Sequence, residues 1–243
     1  MHSRWRHWHR LARELGRALL DLALPPACPA CGTSSDGLCD GCQQNLHNRP
    51  DPGCARCGEA VLAAGESCGG EHRELQLVAR LTAPFRFVGT GGALVRRFKL
   101  DANAAAGAFL LRAMAASWRA ASCAGWHRAL LVPVPLHGSR RRERGFDQAE
   151  WLARGLARRL GLEVMPGVLA RRRATLPQGD PRVLSRPRNV EGAFAVVRPG
   201  SVAGRRVVLV DDVFTSGATA RSCAALLRGA GALEVAMLAA CRS

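Results

Sequence analysis

Two adjacent acids stand near the C-terminus, directly after an apolar run. The segment 207–219 reads VVLVDDVFTSGAT, so Asp211 and Asp212 follow four consecutive β-branched or leucine residues. A continuous apolar run of this kind predicts a strand buried on both faces of a parallel sheet, and ligands of such sheets bind beyond the carboxyl ends of the strands. Two carboxylates at that edge would bind ribose hydroxyls or a magnesium ion.

The residues after the acids are small and polar, and they lead into an alanine-rich segment that predicts a helix. The turn consists of Thr215, Ser216, Gly217, Ala218 and Thr219. Backbone N–H groups at the start of such a helix suit a phosphate. The structural alternative is that the acids cap the turn and that Thr215 and Ser216 are helix N-caps. The apolar run before the acids and the T-S-G-A-T after them favour the ligand-binding interpretation.

Seven of the ten cysteines lie between residues 28 and 68, and six of them form three C-x-x-C pairs. Two such pairs bring four thiolates around one structural Zn²⁺, whereas a redox dithiol needs a single pair. The first predicted zinc site consists of Cys28, Cys31, Cys39 and Cys42. The alternative is an interleaved arrangement, in which the third pair, Cys54 and Cys57, shares a zinc ion with one of the first two pairs. The three remaining thiols of this segment are Cys54, Cys57 and Cys68, which need a fourth ligand to form a second zinc site. His72 is the candidate for that ligand.

The formal net charge of +16 comes almost entirely from arginine, because Lys99 is the only lysine. A chain this basic attracts polyanions, which means nucleic acid or phosphorylated substrates. The segment 137–190 concentrates the charge, with 13 arginines against five acids. Some of these arginines would contact phosphate and others would form a solvated face. The five tryptophans are candidate stacking platforms for single strands or, alternatively, packing residues: Trp5, Trp8, Trp118, Trp126 and Trp151.

The elements that position these residues follow from composition and periodicity. Residues 1–24 predict a basic amphipathic helix, residues 25–73 a small zinc-ribbon module, and residues 74–243 an α/β domain. Asp101 is the predicted cap of a helix over 103–121. The other predicted elements are strands at 129–135, 207–211 and 233–239 and helices at 146–160 and 218–229. Strand, helix and strand in close succession indicate a parallel sheet.

The N-terminal region begins with positive charge but does not read as an export signal. Its apolar stretch is interrupted by Glu14, Arg17 and Asp21, and no stretch of the chain approaches 18 apolar residues. We therefore expect a cytoplasmic protein. A basic amphipathic helix also permits peripheral association with a membrane or a partner, as an alternative to packing on its own domain.

Several motifs resemble known proteins. The segment 207–219 resembles the signature of the type I phosphoribosyltransferases. Upstream, R-G-F-x-Q-A-E at 144–150, R-x-x-T-x-x-Q at 172–178, N-V-x-G-A-F at 189–194 and the N-terminal L-D-L-x-x-P-P-x-C-P-x-C are similar to the ComF family. The resemblance covers nearly the whole chain. It departs from the family pattern at Glu71, where a further cysteine is expected.

The resemblance implies a ligand, phosphoribosyl pyrophosphate bound with Mg²⁺, and a set of site residues. Asp211 and Asp212 would be the catalytic pair that holds the ribose hydroxyls, and the turn 215–219 would wrap the 5′-phosphate. Arg142 and Arg144 would bind the pyrophosphate. A mobile flap would carry Arg173, Thr175 and Gln178.

The resemblance also implies a role in DNA uptake during natural transformation, with single-stranded DNA and a DNA-handling helicase as partners. If the chain is an enzyme, it belongs to the pentosyltransferases, which displace pyrophosphate from the anomeric carbon. Two alternatives remain. One is a nucleobase-salvage phosphoribosyltransferase, and the other is a catalytically silent module in which the ligand gates DNA or partner binding.

Overall fold

A computed structural model describes residues 26–50, 53–54, 56–63, 66, 68–69, 72, 75–121, 125–173 and 192–243. The predicted N-terminal helix lies outside the described residues, as do Thr175 and Gln178 of the predicted flap. None of the described helices is long and apolar enough to cross a membrane.

A parallel sheet forms the centre of the larger domain, as the apolar runs predict. Its strand order is β1-β8-β7-β3-β4, and β2 continues along β8 after β1. Pro84 separates β1 from β2, because proline has no N–H to donate to a neighbouring strand. The strands are β1 (Leu81–Thr82), β2 (Phe85–Arg86), β3 (Leu130–Pro133), β4 (Glu163–Val164), β7 (Arg206–Phe214) and β8 (Glu234–Arg242).

Helices cover both faces of this sheet. Helices α2 (Gly89–Leu100), α3 (Ala104–Ala120) and α5 (Gln148–Leu160) pack on one face, and α6 (Ala218–Gly229) packs on the other. The short helices α1 (Asp40–Gln44) and α4 (Gly138–Arg144) bury no residue. A separate antiparallel pair consists of β5 (Leu169–Arg171) and β6 (Phe194–Val196), and a 3-10 turn spans Pro199–Ser201. The α/β fold class expected from the sequence is confirmed.

Strand β7 separates two hydrophobic cores. Val208 and Val210 pack with α2, α3 and α5 on one face, which we call the α2 face. Val207 and Leu209 pack with α6 and the β5–β6 pair on the other, which we call the α6 face. The alternation follows from the twofold period of a strand.

Helix α2 was not predicted, and it corrects the expected role of Asp101. Asp101 ends α2, and its carboxylate lies 3.6 Å from Arg97. Helix α3 begins instead with Asn103, whose side chain accepts a hydrogen bond of 2.8 Å from the amide of Ala106. The expected cap was wrong because the preceding helix already extends to Leu100.

The segment after the acids also differs from expectation. Strand β7 does not end at Asp211 but continues to Phe214, which pairs with Arg242 of β8. Gly217, in a left-handed conformation with φ of 70°, is the N-cap of α6, and no side chain caps this helix. The capping alternative for Thr215 and Ser216 is therefore wrong.

The predicted helix over 146–160 forms as α5, but one member of its apolar face lies differently than expected. Leu152 and Leu156 are buried, whereas Trp151 is 37% exposed. The Trp151 ring packs against Phe98 with the two rings tilted by 58° and 5.2 Å between their centroids. Trp151 therefore lies at the margin of the core, because it sits beside the buried face of the helix that Leu152 and Leu156 define.

Candidate functional site

The two acids of β7 point to opposite faces of the sheet. Successive strand residues alternate in direction, so Asp211 shares the α6 face with Leu209, and Asp212 shares the α2 face with Val210. The carboxyl edge of the central strand therefore presents one carboxylate on each side.

Asp212 is buried and ion-paired. Its residue is only 5% exposed, and its Oδ1 lies 2.8 Å from the Nζ of Lys99, the penultimate residue of α2. A buried carboxylate is costly unless a charged partner compensates it. Sequence analysis did not assign Lys99 to the site. The one feature of the sequence that could have indicated its role is that Lys99 is the only lysine.

Asp211 is held differently. It keeps some accessible surface, but protein atoms crowd its carboxyl group, and its Oδ1 accepts a hydrogen bond of 2.8 Å from the amide of Asp212. Burial, followed by the negative charge of Asp212, raises the pKa of Asp211 to about 8, with Lys99 opposing the rise. The two carboxyl groups therefore differ: Lys99 compensates Asp212, whereas burial favours the protonated form of Asp211.

The turn after β7 has the features of an anion cradle. Gly217 takes the left-handed conformation that precedes α6, and the Ser216 carbonyl accepts a hydrogen bond of 3.0 Å from Arg221. The Ser216 hydroxyl is buried and has no hydrogen-bond partner among the residues that the structure describes. The first amides of a helix also lack intrahelical partners. An orphaned hydroxyl beside such amides fits a phosphate oxygen.

Basic side chains lie around this edge. Arg142 is exposed on α4, and Arg144 donates a hydrogen bond of 3.2 Å to the side-chain carbonyl of Gln148. Arg171, which ends β5, packs over the Phe194 ring. Burial lowers the pKa of Arg171, the charge of Arg140 lowers it further, and the charge of Asp211 raises it. Arg173 of the predicted flap is exposed two residues beyond Arg171.

Asp147 connects two elements of the site, which the sequence did not reveal. One carboxylate oxygen caps α5 by accepting from the amide of Glu150 at 3.0 Å, and the other accepts from the amide of Leu136 at 3.3 Å. The aspartate of the R-G-F-D-Q-A-E motif therefore fixes the loop after β3 to the start of α5.

The cysteines form two compact clusters whose ligand atoms lie within 4.8 Å of one another. Tetrahedral zinc with Zn–S bonds of about 2.3 Å separates its sulfurs by about 3.8 Å. The distance from Cys31 Sγ to Cys39 Sγ is 3.6 Å, and that from Cys57 Sγ to Cys68 Sγ is 3.5 Å. The clusters are Cys28, Cys31, Cys39 and Cys42, and Cys54, Cys57, Cys68 and His72. Their donors fit structural zinc.

Each cluster is attached to the sheet domain. The Thr90 hydroxyl at the start of α2 donates to the Cys42 carbonyl at 2.8 Å, and Arg97 reaches the Cys28 carbonyl at 3.5 Å. At the second cluster, Arg242 at the end of β8 donates to the Cys57 carbonyl at 2.9 Å. The first cluster thus supports α2, and the second supports the end of β8.

Comparisons with known proteins match both parts of the chain. Residues 19–70 match the double zinc ribbon domain, and residues 147–243 match the phosphoribosyl transferase domain. The chain is 30% identical to the DNA utilization protein YhgH of Salmonella typhimurium, over 91% of this chain and 99% of that protein. It is 28% identical to competence protein F of Haemophilus influenzae, over 83% of this chain and 89% of that protein. It is 27% identical to competence protein ComFC of Streptococcus pneumoniae, over 81% and 82%.

His72 provides a test of the second cluster. Its Nε2 lies 3.2 Å from Cys68 Sγ and 3.6 Å from Cys54 Sγ. After dialysis against a mild chelator, we expect elemental analysis to find two zinc ions per chain in the wild type and one in His72→Ala. His47→Ala is the matched control, since His47 contacts Asn45. Equal zinc content in wild type and His72→Ala would exclude His72 as a ligand.

Asp211 provides a test of the acid pair through pH. A carboxyl group whose folded pKa is raised to about 8 stabilises the fold most below its unfolded pKa of about 4, and this contribution is lost as pH rises towards 8. Asparagine resembles the protonated form. We therefore expect Asp211→Asn to raise the free energy of unfolding over wild type, by on the order of 1 kcal/mol or more at pH 8 and by less at pH 5.

Chemical denaturation at pH 5, 6.5 and 8 measures this difference. Asp101→Asn is the control, because that carboxylate is largely exposed and should give a difference that does not change with pH. A difference for Asp211→Asn that is constant over the range, or larger at pH 5, contradicts the account.

Proposed function

The chain belongs to the ComF family, with competence protein F and the DNA utilization protein YhgH, and from this premise we propose that it binds phosphoribosyl pyrophosphate with Mg²⁺ and acts with single-stranded DNA in DNA uptake. The observation that supports this ligand is the carboxyl edge of β7, where Asp211 and Asp212 precede a turn in which the buried Ser216 hydroxyl has no hydrogen-bond partner among the described residues. The transformation role rests on the names of the relatives.

The residues of this edge match the groups of a ribose phosphate. Carboxylate oxygens accept hydrogen bonds, so Asp211 and Asp212 would hold the 2′ and 3′ hydroxyls of the ribose. The turn 215–219 would receive the 5′-phosphate at its amides and at the Ser216 hydroxyl. Arg142 and Arg144 would bind the pyrophosphate, because guanidinium groups bind phosphate oxygens in pairs. Arg173, Thr175 and Gln178 would close over the ligand.

Magnesium would enter with the ligand. The carboxylate oxygens of Asp211 and Asp212 are hard donors of the kind that Mg²⁺ prefers, and the pyrophosphate supplies further oxygens. The ion, when bound, neutralises charge on the pyrophosphate. Zinc in the two cysteine clusters would be structural, since four protein ligands leave no open position for substrate.

The reaction that this arrangement supports is pentosyl transfer. A nitrogen nucleophile attacks the anomeric carbon, the bond from that carbon to the pyrophosphate oxygen breaks, and pyrophosphate leaves with the electron pair. The basic groups around the edge would stabilise the leaving charge. A salvage enzyme uses a free nucleobase as the nucleophile, whereas a silent ligand-gated module binds without releasing pyrophosphate.

Single-stranded DNA would lie on α5. Its exposed side carries Trp151, Arg154 and Arg158, which recur at helical spacing. Arginines that contact phosphates and a half-exposed ring that stacks on a base are the elements of single-strand binding. Trp118 and Trp126 are buried and pack edge to face at 6.0 Å, so they do not contribute to this surface. A DNA-handling helicase is the proposed protein partner.

Ligand binding and turnover are measured together on zinc-loaded protein with Mg²⁺ and phosphoribosyl pyrophosphate. We expect calorimetry to show binding by the wild type. Binding should be weakened at least about tenfold in Asp212→Asn, which loses a charge-assisted acceptor, and also in Asp211→Asn, whose amide cannot supply a charged oxygen when the ligand and Mg²⁺ bind. Asp101→Asn is the matched control and should bind as the wild type does.

Pyrophosphate release distinguishes the three functions. If a nucleobase alone stimulates pyrophosphate release above the spontaneous rate, the result supports the salvage enzyme. If release above that rate requires single-stranded DNA, the result supports a competence enzyme. Binding without release supports the gated module. Wild-type protein that does not bind the ligand at millimolar concentration contradicts the proposed site.

The DNA surface is tested by salt dependence. We expect Arg154→Ala combined with Arg158→Ala to weaken single-stranded DNA binding and to reduce the slope of log K against log salt by roughly 1.4, since each phosphate contact contributes about 0.7. Arg198→Ala combined with Arg228→Ala removes the same charge from exposed positions on the α6 face. Equal slopes for both double variants would place the DNA elsewhere.

A further inference from the structure

Lys99 occupies a singular position in this chain. It is the only lysine, and its ammonium group lies 2.8 Å from a carboxylate oxygen of Asp212. Its side chain is 27% exposed, so the ammonium reaches Asp212 while part of the side chain remains in contact with solvent. Residue 99 lies outside both segments that the family models match, 19–70 and 147–243.

Helix α2 holds Lys99 at this position from two sides. The first cysteine cluster accepts hydrogen bonds from Thr90 and Arg97 of the helix. On the sheet side, a Cβ at Gly91 would lie 2.4 Å from the backbone carbonyl of Arg86, so only glycine lets the helix approach so closely. Phe98 is buried beside the lysine. The backbone of Lys99 is therefore fixed between the ribbon and the sheet.

The electrostatics of the edge require a cation. Two neighbouring carboxyl groups and a polyphosphate ligand place several negative charges together, and a cation beside them offsets their mutual repulsion. The ammonium of Lys99 compensates the buried carboxylate, and a single hydrogen bond of this kind also fixes its orientation.

We propose that Lys99 is the positioning residue of the ribose-phosphate site, which holds the Asp212 carboxylate in one orientation through the 2.8 Å ion pair, so that the ribbon-supported helix α2 completes a site whose ligand-binding residues lie elsewhere in the chain. This inference rests on the proposed function of Asp212. It assigns the first cysteine cluster a place in ligand binding, through the helix that it supports.

The ion pair is measured first, without ligand. Protein labelled with ¹³C-lysine gives one ε-methylene signal, because Lys99 is the only lysine. We expect Asp212→Asn to shift this signal and Asp101→Asn, two residues from Lys99, to leave it in place. A signal that Asp212→Asn does not move overturns the ion pair and the proposal.

Ligand binding is measured next, with Mg²⁺ and phosphoribosyl pyrophosphate. We expect Lys99→Met to weaken binding roughly ten- to a hundredfold, and Lys99→Arg to recover most of it, because the charge returns. Arg96→Met is the matched control, since Arg96 is exposed on the same helix and its guanidinium folds back towards Gly92. Circular dichroism and zinc content establish that each variant is folded.

The outcomes separate the two proposals. Wild-type binding that Lys99→Met retains overturns the role of Lys99 and leaves the proposed function standing. Loss of binding in Lys99→Met that Lys99→Arg does not recover identifies a steric defect and also overturns it. Wild-type protein that fails to bind overturns the proposed function, and with it the role of Lys99, even where the lysine signal reports the ion pair.

Discussion

Strand β7 is buried on both faces and carries two neighbouring acids near its carboxyl end, and the rest of the molecule is arranged around the electrostatic cost of these acids. Because successive strand residues alternate in direction, Asp211 and Asp212 lie on opposite faces, and the surroundings of the two carboxyl groups differ. Asp212 gains a compensating cation from Lys99 at 2.8 Å. Asp211 is crowded by protein atoms and has its pKa raised to about 8. Apolar residues at these positions would avoid the cost of burying the two acids, which is why we propose a ligand for them.

The cysteine clusters take part in the same arrangement rather than standing apart. The first cluster contributes to the α2 face and holds the helix that carries Lys99. The second contributes to the α6 face and receives Arg242 from the end of β8, the strand that pairs with the acid-bearing β7. The two clusters therefore support both sides of the sheet from which the acids project. This explains physically how a small module without its own core becomes part of a larger domain.

The sequence predicted what depends on local pattern. Apolar runs identified the central strands, and the C-x-x-C spacing identified the thiols that cluster. The binding of a phosphate by the turn after the acids stays a prediction. Helix α2 was missed because GTGGALVRRFKL contains three glycines, which disfavour helix in isolation; close packing at Gly91 overrides that preference. The pairing of Lys99 with Asp212 spans 113 residues of sequence, and no local pattern reports such a contact. Strand β7 was predicted too short because the acids resemble a strand end, whereas pairing with β8 continues past them.

The central claim is that the carboxyl edge of β7 is a ribose-phosphate site. A crystal structure of the zinc-loaded protein with Mg²⁺ and phosphoribosyl pyrophosphate tests it most directly. The account predicts density for the ribose hydroxyls at Asp211 and Asp212, and for the 5′-phosphate against the amides of 215–219 and the Ser216 hydroxyl. Density for the ligand at another surface, or an acid pair that remains without ligand at saturating concentration, would contradict it.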